Sequence, residues 1–384
     1  MKPVLFGLFL FILYWLIEYW FHNMTLRKIP TRILVTGTRG KSSITRLIAA
    51  GLNSGELKTI AKTTGSAATI IFPDSSEQNI NRNGKTSILE QYKVVRIAVK
   101  NKTQILVIES MALRPHLQWI ESHRLIKPHI LIISNIGPDH LDMSGSNLYE
   151  IAHSFAKAIP PHGELFTIEN QYFPILGKKA VTQDCRIHHI QPAENDQNIL
   201  YNELPYIEHP ENIELALSVC EHMGVDRHTA FGGMKSVTPD IGVLREIKTT
   251  VNNFPVTFIN AFAANDPSSI EKIYNRYKEK TQKKKFILIV NFRNDRPHRA
   301  LQISQLLSSN LKADLYIFCG GHIKSIILSK VSKYIKKETI LELNKTEKIL
   351  EYLGKNLDGE TIIMGIGNIA GAGIQLTNHF LKMR

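Results

Sequence analysis

Cysteine is scarce in this chain. Three occur in 384 residues, Cys185, Cys220 and Cys319, far apart and odd in number. That excludes a disulfide framework and a C-x-x-C site, and it fits a reducing compartment. No low-complexity tract and no repeat of solenoid period is present. Acidic residues fall short of basic ones, 34 against 47, for a formal charge of +13. Such a surplus attracts nucleic acid, anionic lipid or an acidic substrate, or it reflects a lysine-rich proteome. No zinc finger, helix-turn-helix or aromatic platform accompanies it, so no nucleic-acid partner is expected. The densest basic cluster, Lys278 to Lys285, precedes a predicted strand and reads as a solvated loop.

What is present is a globular balance, 43% hydrophobic and 21% charged, in a chain too long for one ordinary core. From about Thr31 onward strand-like and helix-like segments alternate, which predicts an α/β fold with mostly parallel sheets. Before them, Pro3 to Phe21 is almost entirely apolar. About 20 helical residues cross a bilayer core, so this run predicts one N-terminal transmembrane helix. Glu18 falls near its far end, and Tyr14, Trp15, Tyr19 and Trp20 suit an interface. The run is long for a signal peptide, and no small-residue cleavage pattern follows. Lys2 precedes it and Arg27, Lys28 and Arg32 follow, a bias that puts the bulk of the chain in the cytoplasm. The expected location is the cell membrane, single-pass, with an anchor over 1–24 and a short linker after it. A central domain over 25–241 and a Rossmann-like α/β domain over 242–384 follow, divided near the Pro- and Gly-bearing break Thr238–Gly242.

The central domain opens on a phosphate cradle. Strand Thr31–Thr36 runs into Gly37-Thr38-Arg39-Gly40-Lys41-Ser42-Ser43, and Ile44, Leu47, Ile48 and Leu52 then fall on one helical face. Gly37 and Gly40 let consecutive N–H groups face one anion, and the helix N-terminus adds favourable charge. Lys41 is placed to reach the outer phosphates and Ser42 to join a Mg²⁺ shell, although Val35 stands where the usual P-loop has its first glycine. Glu109 ends the apolar run Ile105–Ile108 at a predicted strand's C-terminal edge, where ligands of open α/β sheets bind. By itself it is either a Mg²⁺ ligand or a solvated loop acid. Asp139-His140-Leu141-Asp142 follows another strand, His129–Ser134, and the His140 imidazole there is a metal ligand or a structural residue. The polar stretch Phe72–Thr86 reads as a substrate-side loop.

In order, T-G-T-x-G-K-S, a strand-ending glutamate and N-x-x-x-D-H-L-D resemble the Mur ligase superfamily, which includes the folylpolyglutamate synthases. The likeness runs from about Thr31 to the end, with Asn212 opening a helix and Arg245 following the domain break as in that family. The apolar run ahead of the ATP domain, K-T-T-G after the second strand, N-A-F-A-A-N-D-P from Asn260, and N-F-R-N-D-R from Asn291 are more similar still to poly-γ-glutamate synthase ligase subunits. The resemblance implies an ATP-dependent acid–amino-acid ligase forming γ-glutamyl bonds through an acyl phosphate. It implies a nucleotide site of Gly37, Thr38, Arg39, Gly40, Lys41, Ser42, Ser43, Asn212, Arg245 and Asn260, with Lys41, Glu109 and His140 catalytic. Metal ligands by the same resemblance are Ser42, Glu109 and His140, for Mg²⁺. Substrates are then glutamate and a γ-linked polyglutamate chain, and partners are the membrane and other membrane subunits of a synthase or export complex. Ala261 replaces an aspartate that contacts ribose in Mur ligases, with Asn260 or Asp266 nearby, and His153 stands where many members carry a carbamylated lysine, so none is assigned. The alternatives are a folylpolyglutamate-type ligase, against which the anchor argues, and a membrane-anchored ATPase energising export, in which the D-H-L-D element has no purpose.

Overall fold

The structure, a computed structural model, describes residues 2–65, 68–80, 86–137, 145–191, 204, 206, 208–264, 267–279, 284–294, 297–321, 331 and 333–383. It divides into two compact units, Met1–Pro239 and Asp240–Arg384.

The first unit is built on a sheet of strands β1 (Thr31–Thr36), β2 (Thr59–Thr63), β3 (Thr69–Ile71), β4 (Glu77–Asn79), β5 (Ile105–Glu109), β6 (Ile130–Ile133), β7 (Glu164–Thr167) and β8 (Arg186–His189). Their spatial order is β4-β3-β2-β5-β1-β6-β7-β8. The central strands β5, β1 and β6 carry the apolar runs Ile105–Ile108, Ile33–Val35 and Ile130–Ile133, buried on both faces as parallel strands flanked by helices must be. Side chains alternate accordingly. Ile33 and Val35 face a core with Ile44, Leu47 and Leu52 of α2 (Lys41–Ser54), whereas Leu34 faces the opposite core with Val94 and Ala98 of α3 (Glu90–Lys100). The sheet departs from parallel at one edge. Only five residues separate β2 from β3, too few for a crossover, so β3 pairs antiparallel with β2 and β4 with β3. The stretch read as a substrate-side loop therefore contains β4, whose Glu77 pairs with Arg46 of α2 at 2.5 Å; residues 81–85 lie outside the described ones.

The N-terminal helix α1 spans Lys2–Leu26, longer than the anchor bounds read from sequence. It is long and apolar enough to cross a membrane, and its large apolar side chains from Val4 to Ile17, with Trp20 and Phe21, are exposed. Its last turns, however, fold into the first unit. The His22 ring lies 2.7 Å from the Leu125 carbonyl, Lys127 donates to Asn23 at 2.6 Å, and Leu26 is buried. Arg32 corrects the charge reading. It is buried, and its guanidinium donates to the carbonyls of Leu26, Ile29, Ile126 and Lys127 at 2.9 to 3.0 Å. It is a clamp between the end of α1 and the end of a π-helical turn (Glu121–Ile126), not a surface cation at a membrane.

The Arg32 backbone N–H donates to His129 Nδ1 at 3.1 Å. Burial, then the Arg32 charge, holds this imidazole below its ordinary 6.5, and burial does the same to His123 in the π-helical turn. In the unfolded chain both rings return to their ordinary value, so below about pH 6.5 it takes up protons that the folded chain refuses. Stability is then expected to fall as pH drops through 6.5 toward the lower folded values, with no contribution from these groups well above it. Thermal melts across that window check this, and His129→Asn should flatten part of the slope; an unchanged slope would count against His129 as a source.

The second unit carries β9 (Arg245–Val251), β10 (Phe254–Asn260), β11 (Lys285–Phe292), β12 (Leu315–Gly320), β13 (Ile340–Glu342) and β14 (Thr361–Ile366), in the order β13-β12-β11-β14-β10-β9. Its pairings are parallel except that of β9, which runs antiparallel to β10. Asn252 and Asn253 join the two with φ of 49° and 66°, left-handed values that asparagine tolerates and a tight hairpin turn demands.

Candidate active site

The phosphate loop leaves the C-terminal end of β1 between two parallel neighbours, β5 and β6. The end of β6 braces it. Asn135 accepts the Thr38 N–H on its carbonyl at 2.9 Å and the Arg39 N–H on its side chain at 3.0 Å, and Ser134 Oγ donates to the Arg39 carbonyl at 2.6 Å. Gly137 N–H donates to Thr38 Oγ1 at 2.9 Å. Gly37 and Gly40 have φ of 125° and 80°, where a Cβ is strained. A Cβ on Gly40 would also lie 2.5 Å from Asn212 Oδ1, so loop and asparagine touch at a point only glycine allows. Helix α2 starts at once, and the first-turn N–H groups of Lys41, Ser42 and Ser43 have no intrahelical acceptor. They form the anion-binding end of the cradle. The Lys41 ammonium folds over it, donating to the Gly37 and Thr38 carbonyls at 2.7 and 3.0 Å.

Glu109 is the last residue of β5, in register with Val35 of β1, and is buried beside the loop. Its Oε2 accepts from Ser42 Oγ at 2.8 Å and from the Thr64 N–H at 2.5 Å. Thr64 of the K-T-T-G run, the first residue past β2, thus orients this carboxylate. A serine hydroxyl and a carboxylate side by side at a phosphate cradle are a hard oxygen pair, the donor type that suits magnesium or manganese.

Behind Glu109 lies a buried polar layer that sequence reading missed. Lys62, fully buried in β2, pairs with Glu90 at 2.9 Å. Burial lowers its affinity for a proton and Glu90 opposes that shift. Glu121, in the π-helical turn, accepts from Gln91 at 2.7 Å and Ser110 at 2.5 Å, and from the N–H groups of Met111 and Ala112. Ser110 and Met111 follow Glu109 directly, so this layer fixes the backbone that leaves the site. The π-helical turn was the available signal only in structure: Glu121 is one acid among many in the sequence.

Asn212 stands near the start of α4 (Pro210–His222), beneath Gly40, and donates to Glu208 at 2.7 Å. Asp139, His140 and Asp142 lie outside the described residues. Arg245 and Asn260 belong to the second unit, opposite one another on β9 and β10. Asn260 is completely buried and donates its amide to the carbonyls of Ile241 and Val243 at 2.7 and 3.2 Å. Its amide thereby braces the turn that leads into Arg245. The sheet edge of this unit also opens a cavity of about 620 Å³, lined among others by Asn291, Arg293, Asn294, Gly320 and Lys345.

Two family models divide the chain. The Mur ligase middle domain matches residues 35–247, and the poly-gamma-glutamate synthase CapB C-terminal domain matches residues 247–383. Capsule biosynthesis protein CapB of Bacillus anthracis is 32% identical over 376 residues, covering 97% of this chain and 81% of that protein. PGA synthase CapB of Bacillus subtilis (strain 168) is 33% identical over 358 residues, covering 91% and 90%. Among solved structures, the bifunctional folylpolyglutamate synthase/dihydrofolate synthase of Yersinia pestis, complexed with AMPPNP and Mn ion, superposes with a TM-score of 0.70 at 11% identity, over 95% of this chain and 92% of that one. Mycobacterium tuberculosis folylpolyglutamate synthase complexed with ADP and AMPPCP gives 0.66 at 14%, over 93% and 92%. At these identities the structural likeness establishes the fold.

Proposed function

The chain belongs to the Mur ligase family, among its poly-γ-glutamate synthase CapB proteins, and from that membership we propose how its residues perform the reaction. It is an ATP-dependent amide ligase of poly-γ-glutamate synthesis. The observation that carries the reading of the site is the convergence of Lys41, Ser42 and Glu109 on one glycine-cornered loop.

ATP lies with its phosphates on the first-turn N–H groups of α2. A substrate carboxylate oxygen attacks the γ-phosphorus, ADP departs, and the resulting acyl phosphate is attacked at its carbonyl carbon by an amine, releasing phosphate. Lys41 leaves the Gly37 and Thr38 carbonyls for the β- and γ-phosphate oxygens and stabilises the charge that shifts during transfer. Ser42 and Glu109 would hold Mg²⁺, which would supply further neutralisation of phosphate charge. Thr64 N–H keeps the Glu109 carboxylate aimed at that point. Asn212 holds the Gly40 corner, and in the second unit Arg245 and Asn260 are the residues that the family resemblance assigns to nucleotide. His140 would hold a further metal, which would supply positive charge for the substrate carboxylate. The amide- and cation-lined cavity of the second unit, with Arg293 and Lys345, suits the carboxylates of glutamate or its γ-linked polymer. The apolar helix α1 is a single membrane span with both units on the cytoplasmic side, so that polymer is made beside the membrane subunits that pass it outward.

Acyl-phosphate trapping tests the reading. Membranes bearing the chain and its co-expressed partner subunits receive ATP, Mg²⁺, glutamate, a short γ-glutamyl oligomer and hydroxylamine, with Lys41→Ala membranes alongside. Glutamyl hydroxamate formed together with ADP, in the wild type alone, is the expected result. ADP release indifferent to glutamate, without hydroxamate, would overturn it in favour of an ATPase that energises export.

A further inference from the structure

A second constellation lies away from the phosphate loop. Glu164 opens β7, His188 is the third residue of β8, and His222 ends α4. Glu164 is in parallel register with Arg186, and His188 lies two residues beyond it, so both side chains project from one face of the sheet. Helix α4 covers that face and delivers His222 to the same point. Glu164 Oε2 lies 2.6 Å from His188 Nε2 and 3.1 Å from His222 Nε2, and the three atoms fall within 4.8 Å of one another. Phe166, next on the same face of β7, is a common apolar floor. It stacks on His188 at 4.2 Å and meets His222 edge-on at 5.3 Å. The guanidinium of Arg186 stands 4.0 Å from the other carboxylate oxygen, Oε1, leaving Oε2 to the two rings.

We propose that Glu164, His188 and His222 bind a divalent first-row transition-metal cation of the zinc class. Two imidazole nitrogens and one carboxylate oxygen are the donor set such ions favour, and three protein ligands leave a position for water. Glu164 and His188 are half-buried while His222 opens to solvent, which gives the ion both a partly desolvated seat and an entry path. Tetrahedral bonds of about 2.0–2.2 Å hold neighbouring ligand atoms roughly 3.4 Å apart, so the 2.6 Å Glu164–His188 contact has to open by roughly 0.8 Å and the 3.1 Å Glu164–His222 contact by a few tenths of an ångström. The donor chemistry separates this site from the oxygen-only Ser42–Glu109 pair. So does position. His222 lies ten residues along α4 from Asn212, about 15 Å of helix, and toward the N-terminal ends of the strands. An ion bound there ties two strands to the far end of the helix whose start supports the phosphate loop.

The test uses the purified full-length chain in detergent micelles, stripped with chelator and free of nucleotide. Zn²⁺ is titrated in competition with a chromophoric chelator, and Co²⁺ is followed by its visible absorption. One equivalent per chain at micromolar concentration is expected, with a rise in melting temperature. Glu164→Gln, which keeps the side chain's shape, and His222→Ala should each weaken binding by at least about tenfold and abolish the rise. Both variants are first shown to melt cooperatively, and either one alone decides the matter. Binding equal to wild type in either cooperatively melting variant, binding lost in Glu109→Gln instead, or none at micromolar Zn²⁺ would overturn the proposal and leave a hydrogen-bonded His–Glu–His cluster.

Discussion

Glu109→Gln is expected to lower glutamate-dependent ADP formation by about 10²–10³-fold, the scale of losing one preorganised electrostatic group at a transition state. The carboxylate accepts from Ser42 and from the Thr64 N–H on the same oxygen. The amide oxygen of glutamine, seated in its place, can still accept both bonds but carries no charge for the cation. The remaining activity should need more Mg²⁺, because the variant loses its anionic ligand while the loop and Lys41 stay in place. Initial rates over a Mg²⁺ titration measure both effects. Binding of a non-hydrolysable ATP analogue without added metal should change far less. A variant with near-wild-type rate at limiting Mg²⁺ would remove Glu109 from the metal site.

The second large effect concerns stability. Glu90→Gln is expected to cost about 3–5 kcal/mol, because it leaves the ammonium of Lys62 buried without its counter-charge. Lys62 has no exposed side-chain surface, and its other polar contact among the described residues is the Met111 sulfur at 3.3 Å. Lys62→Met should cost less. The glutamate it leaves behind retains 11% exposure in the first turn of α3, where the helix N-terminus favours a carboxylate. The double variant Lys62→Met/Glu90→Gln should recover part of the loss, since removing both charges removes the desolvation they share. Urea unfolding of the four proteins gives the cycle. Losses that simply add would show that the pair is not coupled. Because Lys62 lies beside the segment whose Thr64 N–H orients Glu109, the same variants link core stability to the site.

Much of the first unit could be read directly from local pattern. The apolar runs of β1, β5 and β6 are β-formers without polar interruption, and Ile44, Leu47, Ile48 and Leu52 repeat at helical spacing. A glycine-rich turn between them admits few conformations, so the cradle and the strand-end position of Glu109 followed. Strand β9 was not legible, because its Arg245–Val251 segment alternates polar and apolar residues weakly and becomes a strand only by pairing with β10. Strands β3 and β4 are three residues each, below what periodicity resolves. Arg32 shows the commoner failure. It looked like surface charge in sequence, and it turned out to satisfy backbone carbonyls inside the fold.

The sequence by itself determined the parts governed by neighbours within one or two turns of chain. These are the apolar N-terminal helix, the glycine-cornered phosphate loop, the alternation of strands and helices, and the ordered motifs that identify a carboxylate-activating ligase. Tertiary structure alone decided which distant polar groups share a partner. It brought Glu109 to Ser42, sank Lys62 against Glu90, buried Arg32 under the end of α1, and gathered Glu164, His188 and His222 from two strands and a helix. The reason is physical. Periodicity reports which face of an element leaves water, but a buried polar atom must find a hydrogen-bond partner wherever the fold places one, and no local pattern encodes that address.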